Sequence, residues 1–507
     1  MRALISVYDK EGLIPLAEGL RALGVELISS GGTSAALGAA GIEHLEVATL
    51  TGAPEMLGGR VKTLHPKIHG GILADRSKDE HLADLERQGI EPIDLVICNL
   101  YPFRSEPSIE MIDVGGPTMV RAAAKNHAHV AVVVDPADYG VVLEELRAGG
   151  VVSDATRRRL ARAAFAHTAA YDSAIVTWFD GEAETEEVLP DTVHLALERV
   201  GTLRYGENPH QQGARYRYIG GPAGFWDSVV QHGGRELSYL NLFDAEAAWR
   251  LCHEVLELKE AGAAAVIVKH ANPCGAAVDD DLLTAYQRAF SSDPISAFGG
   301  IVALSAPVDG PLAEAIVANA LADVLIAPGL SEEAIALFAA KRKNMRALIA
   351  APPVPERLGL RQISGGFLVQ EQDRFLATRD SWQVVTERQV EPAQWRDLEL
   401  AWLVCGRTSS NAIVLVNDGQ VVGVGCGQQN RVDAAGLAAK KADGRAKGGV
   451  AASDAFFPFR DGLDAAVDAG ATVVIQPGGS LRDNDIIDAA NERGIAMVLT
   501  GERHFRH

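Results

Sequence analysis

The apolar run Val266-Ile267-Val268 ends on adjacent Lys269 and His270 and then breaks into a loop at Asn272-Pro273 and Gly275. An ammonium and an imidazole are thereby delivered together at a strand end, where α/β sheets place their sites. The imidazole can move a proton while the ammonium holds a developing oxyanion. A solvated charge pair capping a strand would look the same. A second concentration of chemistry is GGRVKTLHPKIHGG (58–71), where Arg60, Lys62, His65, Lys67 and His69 crowd between glycine pairs. Upstream, strand 25–30 runs into Gly31-Gly32-Thr33 and a helix, an arrangement whose free N–H groups and dipole face an anion. By itself that turn is also an ordinary tight turn. Downstream, strand 93–99 leads to Tyr101-Pro102, and Asp113 precedes Gly115-Gly116-Pro117, which opens a helix. Arg121 and Lys125 share a face of that helix at i,i+4. Tyr101, Asp113 and Lys125 therefore come from successive elements that can converge on one pocket, although each alone would pass for a surface residue.

The elements that must position these groups alternate. Residues 1–7 read as a buried strand and 9–23 as an amphipathic helix opening at Asp9, and the alternation continues to about residue 178, giving a first α/β domain. The acidic segment 180–200 reads as its boundary. Arg204-Tyr205 then precede a Gly/Asn/Pro turn, suited to a phosphate and a planar base or simply to a turn. The remainder has room for two α/β units of similar size, with polar loops at 292–300, 403–413, 427–431, 453–462 and 475–483. Phe456, Phe457 and Phe459 around Pro458 would either stack on an aromatic ligand or anchor a core.

Composition narrows the class. A chain of 507 residues is too long for one core, and 47% hydrophobic with 22% charged residues is the balance of a soluble enzyme. A net charge of −20 argues against general nucleic-acid or anionic-membrane binding, so anionic ligands require basic residues concentrated locally. The five cysteines (98, 252, 274, 405, 426) make no C-x-x-C or Cys/His cluster, which leaves neither a disulfide framework nor a zinc site. No apolar run approaches the ~20 residues of a membrane span, and Met1-Arg2 enters a short strand rather than a signal-peptide core. A cytoplasmic location is expected.

Ordered motifs carry a resemblance that spans essentially the whole chain: SVYDK (6–10), SSGGT (29–33), GRVKTLHPKIHGGIL (59–73), NLYPF (99–103), IDVGGPTMVRAAAKNH (112–127), LRYGENPHQ (203–211), VKHANPCG (268–275), SDPISAFGG (292–300), SDAFFPF (453–459), QPGGS (476–480) and RHFRH (503–507). The sequence resembles the bifunctional purine-biosynthesis (PurH) family, which joins AICAR transformylase to IMP cyclohydrolase. The resemblance implies an α/β fold with a methylglyoxal-synthase-like cyclohydrolase domain and linker over 1–195. It also implies a transformylase over 196–507, built of two tandem cytidine-deaminase-like units. AICAR, formyl-AICAR and IMP would be the nucleotides and 10-formyltetrahydrofolate the cosubstrate. It further implies a homodimer with transformylase sites at the subunit interface and no catalytic metal, and it leaves room for a structural monovalent cation.

The same resemblance assigns residues. His270 would take the amine proton as AICAR attacks the formyl carbon, Lys269 would hold the oxyanion or protonate the leaving folate nitrogen, and Asn411 would polarise the formyl group. Arg204, Tyr205, Asn241, Arg431, Phe456 and His507 match positions lining the nucleotide or catalytic pocket, and Asp323 matches an acidic position on the folate side. For ring closure, Lys125 and Asp113 would form the proton-transfer and carbonyl-activating pair, with Tyr101 and Lys62 beside them. Ser6, Lys10, Ser30, Gly31, Gly32, Thr33, Arg60 and Thr63 would hold phosphate and ribose. Three departures affect the cyclohydrolase rim: Tyr8 stands in place of a small Ser, Met111 in place of a common Asn, and the stretch from Pro102 to Asp113 is short. A phospho-sugar lyase of the methylglyoxal-synthase kind with an appended domain is the alternative, and it requires no folate.

Overall fold

Strands that are apolar along their whole length belong in a sheet covered on both faces. In the computed structural model β1 (Arg2–Ser6), β2 (Glu26–Ser29), β3 (Leu45–Glu46), β4 (Leu95–Cys98) and β5 (Ala131–Val133) form a five-stranded sheet of order β3-β2-β1-β4-β5. Every pairing in it is parallel. The chain leaves β1 toward β2 on one side and returns to β4 on the other, so the crevice at the carboxyl ends of β1, β2 and β4 is the topological switch point. Helix Leu13–Ala22 buries Leu13, Leu16, Ala17 and Leu20 on one face, and helix Gly115–Lys125 buries Met119, Val120, Ala122, Ala123 and Ala124 on the other. The first of these starts later than the pattern from Asp9 suggests. Gly12 takes φ +65 at its N-cap, and Asn99 Oδ1 accepts from the N–H groups of Tyr8 and Asp9 at 2.6 and 3.1 Å, holding those residues as a loop.

The structure describes residues 1–54, 56–182, 188–221, 223–258 and 262–507. Part of the acidic segment read as a boundary, 183–187, thus lies outside the described residues. The chain divides into two compact units. The first is Met1–Glu198 with a short segment from Arg217, and the second is Arg199–Tyr216 together with the chain from Ala223 to His507.

The second unit is organised by one twelve-stranded sheet whose two halves repeat the same connectivity. In the first half, hairpin Ala263–Lys269/Asn272–Asp279 is flanked by Ile301–Leu304, antiparallel to its first strand. Val324–Ala327 and Arg346–Ile349 follow in parallel, with Val230–His232 antiparallel at the edge. In the second half, hairpin Ile413–Asn417/Gln420–Gly425 is followed in the same manner by Val450–Ser453, Val473–Gln476, Ala496–Leu499 and edge strand Gln383–Val384. The halves meet where Ala277 pairs antiparallel with Gln420. Each hairpin is preceded by a helix that buries a tryptophan against the sheet, Trp249 on Tyr239–Leu256 and Trp402 on Gln394–Gly406.

Candidate active sites

In the first unit Ser6 ends β1, Ser30 to Thr33 follow β2, and Tyr101 follows β4, so all reach the switch point. Helix Gly31–Ala39 has no side-chain cap on its first N–H groups. Two ammonium groups flank it. Lys62 Nζ lies 3.0 Å from where a β-carbon of residue 31 would stand, and Lys10 Nζ lies 3.8 Å from the equivalent point at residue 32. Free N–H groups between two lysines are a built place for an anion. The Thr33 hydroxyl is not among its donors. It accepts from Val7 N at 3.0 Å and donates to Val7 O at 2.9 Å, which leaves the backbone N–H as that residue's contribution. Arg60 is exposed and paired with Glu110, and His65 caps helix Pro66–Leu73 by accepting from Lys67 N.

Asp113 sits at the entrance of helix Gly115–Lys125. Its Oδ1 accepts from Gly116 N at 2.8 Å, and its own N–H donates to Tyr171 Oη at 2.8 Å, a hydroxyl that in turn donates to Met111 O. Burial pushes the carboxyl up from its ordinary pKa against the opposing pull of N–H groups at Gly116, Tyr101 and Gly115. A carboxyl poised in this way exchanges protons nearer neutrality. Residue 116 must be glycine, because a β-carbon there would come within 2.4 Å of Asp113 Oδ2 and 2.7 Å of Leu100. Thr63 Oγ1 faces Gly115, so Asp113, Tyr101, Thr63, Lys62 and the glycine turn share one region. Asp113 precedes the helix and Lys125 ends it, so about twelve positions of helical rise, roughly 18 Å, separate their backbones, and the two would act on a substrate from opposite ends of that helix. Tyr8, the departure from the small residue, packs edge-on against Tyr101 with ring centroids 5.7 Å apart.

In the second unit, His270 and Ala271 are the two loop residues of the first hairpin, with φ +51 and +56. A two-residue turn with both residues left-handed asks for Asn-Gly or Asp-Gly. The matching turn of the second half obeys: Asp418-Gly419, with φ +52 and +70. His-Ala at these positions costs about 1 kcal/mol or more per residue and persists only where surroundings over-determine it. They do so here. Asp244, on the helix before the hairpin, accepts from His270 N at 3.2 Å and Ala271 N at 2.8 Å, just as Asp397 accepts from Asp418 N and Gly419 N. Asn272 Nδ2 donates to His270 O at 3.0 Å while its Oδ1 accepts from Ser409 N at 2.8 Å. Arg506 donates to Ala271 O at 3.0 Å. The imidazole is left exposed, and the Lys269 ammonium, donating to Gly299 O at 2.8 Å, is half-buried beside it.

The bond between Ser409 and Asn272 brings the loop of Asn411 to this turn. Asn411 Nδ2 donates to Gln428 O at 2.9 Å and its Oδ1 accepts from Arg431, which is ion-paired to fully buried Asp454 at 2.8 Å. The C-terminal tail closes the same region: Ser410 N donates to Arg506 O, Arg506 N donates to Ser410 Oγ, and the exposed His507 offers its carbonyl to Arg361. The phenylalanines divide between the two roles open to them. Phe457 is core, Phe456 is half-buried, and Phe459 is exposed beneath Arg482. Arg204 stacks on Tyr205 and donates to its hydroxyl at 2.8 Å. Asn241 has a structural duty: its Oδ1 accepts from Ser238 N in the capping box of helix Tyr239–Leu256. Asp323 immediately precedes strand Val324–Ala327, half-buried.

Sequence reasoning missed Asn99, Asp244, Asn272 and Arg506, which position the sites without being recognisable as catalytic types. Asn272 alone carried a signal, standing two residues after His270 at the break of the strand.

A crevice suited to an anion in one unit and a clamped Lys-His turn in the other are the arrangement of an α/β enzyme with two sites. The chain belongs to the AICARFT/IMPCHase bienzyme family, whose family model matches residues 123–441, while an MGS-like domain matches 12–127. Relatives from two strains of Cereibacter sphaeroides, each named bifunctional purine biosynthesis protein PurH, are 51% identical over 528 aligned positions, covering 100% of this chain and 98% of theirs. A crystal structure of ForH is 41% identical over 35% of this chain and 98% of its own, with a TM-score of 0.33.

Proposed function

We propose that the two units divide the last two steps to inosine monophosphate, with 196–507 transferring a formyl group and 1–195 closing the ring. In the first step the amine of AICAR attacks the formyl carbon of 10-formyltetrahydrofolate. His270 removes the amine proton, Lys269 holds the tetrahedral oxyanion or protonates the departing folate nitrogen, and Asn411 polarises the formyl oxygen, so that formyl-AICAR and tetrahydrofolate leave. Arg204, Tyr205, Arg431, Phe456 and His507 line the nucleotide side and Asp323 the folate side. In the second step the carboxamide nitrogen attacks the formyl carbonyl and water leaves. Positioning supplies much of the acceleration of this intramolecular closure. Asp113 and Lys125 serve proton transfer and carbonyl activation, with Tyr101 and Lys62 beside Asp113, and the glycine turn with Lys10 and Lys62 holds the phosphate.

The observation that carries this reading is the His270-Ala271 turn, a strained pair kept where its structural repeat has Asp-Gly. Supplied with AICAR and 10-formyltetrahydrofolate, the chain is expected to release tetrahydrofolate and inosine monophosphate. Formation of neither product would sink the assignment.

The reading includes a homodimer whose transformylase sites are completed across the interface. Its support is apolar surface on the second unit: Phe367 and Leu368 on hairpin Leu358–Ile363/Gly366–Glu371 are 56% and 57% exposed, and Ile295 is 90% exposed. Light scattering is expected to give twice the 53.8 kDa chain mass. A single-chain mass at assay concentration refutes it. The repeated connectivity supports reading the second unit as tandem cytidine-deaminase-like halves. A structural monovalent cation belongs to the same reading. A cytoplasmic location completes the proposal. Among the described residues, no helix is long and apolar enough to cross a membrane.

A further inference from the structure

The Lys269 ammonium is aimed by a loop from elsewhere in the chain. It donates to Gly299 O at 2.8 Å, and it lies so close that a β-carbon on residue 299 would stand 3.1 Å from Nζ. Residue 299 also takes φ +67, so close approach and backbone conformation both ask for glycine there. Whatever fixes the loop 293–300 therefore fixes the ammonium. Gly299 N donates to Leu321 O at 2.6 Å, and Gly300 N donates to Ala297 O at 3.0 Å. At the start of the loop the Asp293 carboxylate accepts from Ser296 N at 3.0 Å and from Ser296 Oγ at 2.7 Å, while its carbonyl accepts from Ala297 N at 3.0 Å.

A further partner of that carboxylate comes from the other half of the twelve-stranded sheet. Lys441 Nζ lies 3.0 Å from Asp293 Oδ2, and the two side chains are only 29% and 13% exposed. Lys441 stands on the last turn of helix Arg431–Ala442, whose first residue, Arg431, donates to Asn411 Oδ1. One helix thus holds, at its two ends, the side chain that polarises the formyl group and the loop that aims the ammonium. Other bonds join the halves nearby. Arg445 donates to Ser291 O and Ser292 O at 2.7 and 2.9 Å, and Gln420 Nε2 donates to Arg288 O at 2.8 Å. Those bonds end on helix Leu282–Ser292, whereas Lys441 reaches past it to the loop itself. Removing the cation from a carboxylate mostly withdrawn from water leaves an uncompensated charge, which draws the loop toward solvent.

We propose that Lys441, through Asp293, is a positioning residue for the Lys269 ammonium in formyl transfer. This rests on the formyl-transfer reading above, and it gives neither Lys441 nor Asp293 a contact with substrate. A displacement of about 1 Å at a group that must meet a developing oxyanion costs about 10²-fold in rate. Because that oxyanion exists only in the transition state, the loss enters kcat and leaves KM in place.

Steady-state formyl transfer by the full chain is measured with AICAR varied and then with 10-formyltetrahydrofolate varied. The proteins are wild type, Lys441→Met, Lys441→Arg, Lys269→Met and the double variant Lys269→Met/Lys441→Met. Lys441→Met is expected to lower kcat about tenfold to 10²-fold, with both KM values within about twofold. Lys441→Arg, which keeps a cation for Asp293, is expected to recover most of that loss. In the Lys269→Met background the second substitution is expected to change kcat by less than about twofold, because the group it positions is gone. A full further loss in that background, a loss that arginine does not mend, a change confined to KM, or wild-type kinetics in Lys441→Met overturns the proposal. Thermal melts of each variant report that the chain is folded. Should Lys441→Met melt below the assay temperature, Asp293→Asn, which still accepts from Ser296 N but offers Lys441 no charge, carries the same comparison. Should Lys269→Met fall below detection, the division between kcat and KM and the rescue by arginine decide. A wild type that transfers no formyl group, or a Lys269→Met variant that works at the wild-type rate, refutes the functional reading instead.

Discussion

His270→Ala is expected to lower formyl transfer about 10²- to 10⁴-fold, the range for loss of a positioned general base, while cyclisation of supplied formyl-AICAR stays at the wild-type rate. The separation follows from architecture. His270 lies in the second unit, whereas Asp113, Tyr101 and the glycine turn lie in the first, each with its own core. The variant is also structurally mild. The imidazole is exposed, and the contacts that hold the turn are made by the backbone N–H groups of residues 270 and 271 to Asp244, not by the ring. Alanine already occupies the second left-handed position at residue 271 with φ +56, so a neighbouring alanine is sterically compatible. The measurement is a pair of assays on one preparation, tetrahydrofolate release and ring closure. Retention of formyl transfer refutes the base assignment, and loss of both activities refutes independent sites.

How far the site was legible depends on the range of the interaction that builds it. Strand ends and the turns beyond them are local, so Lys269-His270, Gly31-Gly32-Thr33 and Asp113-Val114-Gly115 could be read from residue types and spacing, as could the alternation that makes the sheets. The partners that give those residues their geometry are distant in sequence. Asp244 clamps residues 270 and 271 from another helix, Asn99 reaches back to residues 8 and 9, and Arg506 returns from the tail to residue 271. The strain of the His-Ala turn becomes visible only beside Asp418-Gly419, its counterpart in the second half, and no sequence similarity between the two turns announces that relation. Lys125 shows what spacing leaves open: one helix runs from just after Asp113 to Lys125, and its rise sets their backbones far apart. Asn241 and Thr33, which the resemblance places among the ligand-binding residues, also bond local backbone, the one in a cap and the other against Val7. A polar side chain that can close a nearby backbone bond is ambiguous until the fold is known.

Asp113→Asn is expected to reduce ring closure about 100-fold or more, since the amide cannot exchange a proton. It should also leave a mark on stability whose sign is set by the carboxyl's environment. Burial raises Asp113 above the ordinary carboxylate value of about 3.9. At pH values above its raised folded-state pKa the group is ionised in both the folded and unfolded chain, and the folded state carries the desolvation penalty. As pH falls through that value the folded state takes up the proton first, so the penalty is relieved, and below the unfolded value it is gone. Asparagine titrates in neither state. Its Oδ1 can still accept from Gly116 N, while its amide turns a donor toward the N–H groups of Tyr101 and Gly115, a cost that does not change with pH. The difference in melting temperature between wild type and variant must therefore move in favour of wild type as pH is lowered from neutrality through the folded-state pKa. Every other titrating group cancels in that difference. Thermal melts of the two proteins across the acidic range, read beside the cyclisation assay, decide the matter. A difference that is flat with pH, or that moves toward the variant, removes the buried, proton-exchanging carboxyl from the ring-closing site even if activity is lost.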